Sequence, residues 1–138
     1  MLESLGYGAA YTLVGIALLA VGFVVLDLLT PGHLGRHIYE DRSVNAGIVA
    51  SGGFLSLGAV LFTAIWTNAD SGFGEALGYT VAFGALGIVL QAVAFLVLDV
   101  LTPGKLGELV TERHFHPASL VTAASQLSVA AIIAASIA

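Results

Sequence analysis

The chain contains no cysteine. Disulfides, thiol nucleophiles and cysteine metal sites are therefore excluded. Basic residues are scarce: four Lys plus Arg among 138 residues, against nine Asp plus Glu, for a net charge of −5. Nucleic-acid binding calls for basic patches that this balance does not provide. Charged residues make up 9% of the chain, where soluble domains carry about 25%. Alternating apolar and polar strand patterns are absent as well, which argues against a β-barrel.

What is present instead is hydrophobicity. Apolar residues make up 58% of the chain and its mean hydropathy is +1.00. Four long apolar runs cover roughly residues 7–29, 44–67, 77–101 and 118–138. At 1.5 Å per residue, each run is long enough for a hydrocarbon core of about 30 Å. The expected fold class is all-α integral membrane, with four transmembrane helices. No Lys or Arg precedes the first run, so it reads as a span rather than a signal peptide. The lipid bilayer is the first expected partner.

The second feature is an internal repeat. Shifted by 72 positions, residues 1–66 align without a gap onto 73–138, and 27 of the 66 pairs are identical. The densest stretch reads VLDLLTPGHLG at 25–35 and VLDVLTPGKLG at 97–107. Two tandem two-helix repeats, 1–72 and 73–138, follow from this alignment. An even number of spans per repeat inserts both copies the same way up. The expected symmetry is a pseudo-twofold axis along the membrane normal, not an inverted repeat.

Charge sets the orientation. Arg36, Arg42, Lys105 and Arg113 all fall in the links between the first and second and the third and fourth runs. Glu3, Asp70 and Glu75 occupy the opposite ends. The positive-inside rule then places segments 30–43 and 102–117 in the cytoplasm and both termini outside. Tyr7, Tyr79 and Trp66 fall near the expected outer interface, where amphipathic rings favour the headgroup level.

Within the repeated motif, Thr30-Pro31-Gly32 and Thr102-Pro103-Gly104 end the first and third spans. Proline disfavours helical geometry in the residue before it, and threonine caps a new helix with proline at its first position. Two short interfacial helices are expected, at about 31–40 and 103–112.

The matched acids Asp27 and Asp99 carry the functional interest. A carboxylate at the end of an apolar run is costly unless paired or hydrated. The pair is a candidate proton or cation path; the structural alternative is that each acid ties its helix end to the loop cations.

Other polar residues inside the spans are Gln91, Gln126, Ser56 and Ser128, candidates either for a solute path or for hydrogen bonds between helices. The small-residue pairs Gly47/Ser51, Gly52/Ser56 and Ala130/Ala134 permit close helix approach. His33 and His37 share a helical spacing, but Lys105 and Leu109 replace them in the second copy, and no metal site or cofactor is expected. No nucleophile–base pair is visible, so an enzyme is not expected.

The doubled LD-x-LTPG-x-LG motif, in a four-helix chain of this length, resembles the domain of unknown function 350 family of small prokaryotic multi-pass membrane proteins. The resemblance implies a cytoplasmic membrane location, the two-repeat arrangement and no established activity. Gene neighbours resembling polyamine synthases, common in that family, hint at cationic solutes. Two functions remain open: a small homo-oligomeric channel or transporter for protons or cations, inorganic or polyamine-like, and a non-transporting accessory subunit of a membrane complex.

Overall fold

The computed structural model describes residues 1–29, 34–101, 112 and 114–138, with the backbone alone at Leu34 and Ala69. Four helices dominate: α1 (Leu2–Leu29), α3 (Val44–Thr67), α4 (Phe73–Leu101) and α5 (Pro117–Ile137). A short α2 (Leu34–Tyr39) follows α1, and a single 3-10 turn (Ala69–Ser71) joins α3 to α4. No strand occurs among the described residues. All four long helices are long and apolar enough to cross a membrane. The expected helix near 31–40 is present as α2; the Thr-Pro-Gly motifs at 30–32 and 102–104, and nearly all of the expected helix at 103–112, lie outside the described residues.

Helices α1 and α4 begin four or five residues before their apolar runs. Glu3 and Glu75 lie in those first turns, where a negative charge meets the positive end of the helix dipole. The other starts are capped. Ser43 Oγ accepts from Ala46 N at 3.1 Å at the head of α3. His116 Nδ1 accepts from Ala118 N at 3.1 Å at the head of α5, with Pro117 in the first turn. The link into α4 turns at Gly72, whose φ of +91° suits a residue without Cβ.

The burial pattern inverts that of a water-soluble protein. Leu13, Ile16, Val24, Leu55, Phe62, Val89, Leu96 and Ile132 are exposed, while Asn45, Ser56, Thr80, Ser119, Thr122 and Gln126 are buried. Apolar surface on this scale requires a lipid solvent.

Helix α3 is the centre. It packs most extensively against α5, and also against α4 and α1; α4 further contacts α1 and α5. The four helices thus close a ring with α3–α4 as its packed diagonal. No comparable packing joins α1 to α5 among the described residues.

At one end, Tyr7 stacks on Phe73 at 4.3 Å and Tyr11 meets the same ring edge-on at 5.5 Å, so the starts of α1 and α4 lie together. At the other end, the starts of α3 and α5 lie together, tied through Asn45. An apolar cluster of Leu26, Ala46, Val49, Ala50 and Phe95 fills the bundle there.

Candidate functional site

A cleft of about 40 Å³ runs between all four long helices. Leu19, Gly22, Phe23 and Leu26 of α1 line it, with Ala50, Gly53, Phe54 and Leu57 of α3. Helix α4 adds Ile88, Gln91 and Phe95, and α5 adds Gln126. Phe54 is partly exposed and stacks on Phe23 at 5.8 Å, which places an aromatic pair at the rim between α1 and α3.

The two glutamines are therefore brought together, in walls that are otherwise apolar. Gln91 Nε2 and Gln126 Oε1 are buried and have no hydrogen-bond partner among the described residues. Spacing explains the placement of Gln126: α5 buries Ser119, Thr122, Gln126, Ala130 and Ile133, positions three or four apart that share one face.

The acids are not in this cleft. Asp27 and Asp99 are half-buried, two residues before the described ends of α1 and α4, and neither lines the space holding the amides. Neither is without an interaction partner. That agrees with the cost of leaving a carboxylate unpaired beside lipid.

The matched serines diverge. Ser56 is buried and donates to Gly52 O at 2.6 Å. Ser128 donates to Ala124 O at 2.8 Å but is exposed. Of the two, only Ser56 is buried. The α5 face carrying Gln126 is the one turned inward, and Ser128 lies off it. Ser128→Ala is expected to leave thermal stability within about 0.5 kcal/mol, and Ser56→Ala to lower it by about 1 kcal/mol, read by melting in detergent.

Sequence reasoning did not single out Ser43 and Asn45. Asn45 is fully buried. Its Nδ2 donates to Glu112 O at 3.2 Å and to His114 O at 2.7 Å, and its Oδ1 accepts from His116 N at 2.8 Å. Ser43 Oγ donates to Glu112 O at 2.5 Å. Two side chains of the first half thus hold the backbone that leads into α5. The available signal was an asymmetry: Phe115 and Pro117 occupy the matching positions of the second half and cannot make these bonds.

The histidines serve local structure. His37 Nδ1 lies 3.0 Å from Asp41 Oδ2, and His116 caps α5. His33 lies outside the described residues. No group of three or more metal-ligating side chains occurs among the described residues.

Comparison with known proteins places this arrangement in a family. The model of the Domain of Unknown Function (DUF350) matches residues 1–137. A UPF0719 transmembrane protein of Mycolicibacterium paratuberculosis is 39% identical over 127 residues, covering 92% of this chain and 83% of that protein. UPF0719 transmembrane proteins of Mycobacterium bovis and Mycobacterium tuberculosis are each 37% identical over the same coverage. No solved structure matches. A family match that spans the four helices, with relatives aligned over most of their own length, means that this chain belongs to the DUF350 family.

Proposed function

We propose that the chain is the subunit of a small oligomeric conduit in the prokaryotic cytoplasmic membrane, and that it handles protons in preference to metal or polyamine cations. The observation that carries this reading is the pair of glutamines, Gln91 and Gln126, that line one cleft among four apolar helices, each with one buried amide atom that has no partner among the described residues. Buried polar groups at membrane depth are costly and mark solute or proton pathways. Two amide side chains in apolar walls are too poor a ligand set for a desolvated cation, whereas hydrated amides suit a proton route. Asp27 and Asp99, toward the end of the bundle where α3 and α5 begin, are the proton-exchanging groups of the proposed route. Ser56 lies beside it; Ser128 contributes only across a subunit boundary.

The same reading takes the halves as tandem repeats about a pseudo-twofold axis. The paired starts of α1 and α4, and of α3 and α5, support it; the α3–α4 diagonal is where the halves depart from it. Both termini lie outside and the segments 30–43 and 102–117 are cytoplasmic, supported by the placement of the four basic residues. Catalysis has no part in this reading.

A second reading, an accessory subunit, is favoured by one observation. Leu26 is the single buried residue of the 28 in α1, which leaves that helix open to a homologous copy or to another membrane protein.

Flux in sealed proteoliposomes separates the two. Wild type and the Asp27→Asn/Asp99→Asn double variant are compared for proton, potassium and polyamine flux with pH- and potential-sensitive dyes. The expected result is proton flux that falls at least about tenfold in a well-folded double variant, a loss of about 1.4 kcal/mol or more in barrier terms. Absence of all three fluxes in wild type favours the accessory reading.

A further inference from the structure

The heads of α3 and α5 lie together at one end of the bundle, and they are capped by different chemistry. Ser43 Oγ accepts from Ala46 N at the head of α3, and His116 Nδ1 accepts from Ala118 N at the head of α5, each at 3.1 Å. The position matching Ser43 in the second half is Phe115, whose side chain has no acceptor, and the cap there falls one residue later. A serine hydroxyl does not titrate near neutral pH. A histidine does, changing charge between about pH 5 and 8.

The bond to Ala118 fixes the state of the ring. Nδ1 accepts only through its lone pair, so the closed cap needs a neutral imidazole with its proton on Nε2. A second proton goes to Nδ1 and leaves two donors facing each other. It also places a positive charge at the positive end of the α5 dipole. Both effects loosen the first turn of α5. The backbone entering that turn keeps a separate anchor, since His116 N donates to Asn45 Oδ1 at 2.8 Å.

No neighbouring carboxylate offsets the added charge. Helices α3 and α5 contain no Asp, Glu, Lys, Arg or His. The other described titratable and charged groups toward this end are Asp27 of α1, Asp99 of α4, Arg36, His37, Tyr39, Glu40, Asp41 and Arg42 of α2 and its link, and Glu112 and His114 before α5. None of them bonds to the His116 ring among the described residues. His37 behaves oppositely: its Nδ1 lies 3.0 Å from Asp41 Oδ2, and a proton strengthens that pair.

We propose that His116 is a proton-operated latch on α5. Neutral, it closes the first turn of the helix; protonated, it opens that turn while Asn45 keeps the entering backbone in place. The opened turn takes up the proton that the closed turn excludes, so closure is favoured at high pH and lost as pH falls. The latch acts on the helix that carries Gln126, and it stands whether or not the chain conducts protons.

Hydrogen exchange of the full-length protein in detergent reads the latch. Protection of the amides in 117–124 is compared at about pH 8 and about pH 5.5, after correction for intrinsic exchange rates. Residues 44–51, at the serine-capped head of α3, are the internal reference. A helix cap is worth a factor of about five. Protection in 117–124 is expected to fall about fivefold relative to 44–51 on acidification. His116→Asn puts a non-titrating oxygen where Nδ1 stands, and the fall is expected to disappear. His116→Ala is expected to leave the segment weakly protected at both values, and His114→Asn to keep the fall. A wild-type protein whose two segments respond alike to pH overturns the proposal. So does a fall that persists in His116→Asn, because another group then carries the proton.

Discussion

Replacing Asn45 with leucine is expected to cost the fold about 3 kcal/mol, the largest loss from any single polar side chain among the described residues. Asn45 makes three hydrogen bonds to the backbone entering α5, at residues 112, 114 and 116, and is itself fully buried. Leucine keeps the volume but strips partners from the His114 carbonyl and the His116 N–H, while the Glu112 carbonyl keeps Ser43 Oγ. Each such group left unsatisfied in a buried position costs on the order of 1–3 kcal/mol. Access of the entering segment to water at the end of the bundle keeps the sum near the lower figure. Thermal melting in detergent reads the loss. Asn45→Asp separates the contributions: it retains the acceptor for His116 N and removes both donors, so its stability falls between wild type and Asn45→Leu. Equal melting of all three proteins would show that the entry to α5 is held by its apolar packing instead.

The second large effect belongs to Gly52. A Cβ at this position would stand 2.8 Å from Ala123 Cβ, 2.9 Å from Ala123 Cα and 2.8 Å from Gln126 Oε1. Two of these neighbours are fixed to the α5 backbone, so α3 and α5 must separate for any side chain to enter. Overpacking of this kind costs about 1–3 kcal/mol, and Gly52→Val is expected at the upper end. Gly58→Ala is the control. A Cβ there has open space within 4 Å, so the exchange is expected to be neutral or to stabilise by up to about 1 kcal/mol through helix propensity. Ala123→Gly in the Gly52→Ala background is expected to recover only part of the loss, since the backbone of residue 123 still crowds the new methyl group. A Gly52→Val protein that melts with wild type would mean that α3 and α5 approach less closely than described.

These two residues show where sequence reading reaches and where it stops. Gly52 and Ser56 stood out as a small-residue pair; Gly52 meets α5 and Ser56 is buried. Gly47 and Ser51 have the same spacing, yet Gly47 has open space where a side chain would stand and Ser51 is exposed. Spacing alone does not say which pair meets a helix. Asn45 carried no signal beyond its absence from the second half, because its partners are backbone atoms about 70 residues away. The acids were the more visible motif, but it is the less visible glutamines that share the internal cleft.

Composition and hydropathy by themselves determined that this is a four-span helical membrane protein, and placed its spans to within a few residues at most ends. They could do so because crossing a bilayer is a local demand: enough consecutive apolar residues, with polar breaks between them. The face each helix turns inward was decided by the tertiary structure alone. A helix that is apolar all round carries no inward direction in its sequence, and lipid supplies no contrast to orient it. Close backbone approach at Gly52, the hydrogen bonds of Asn45 and the burial of Gln126 make that choice, and each depends on a partner distant in the chain.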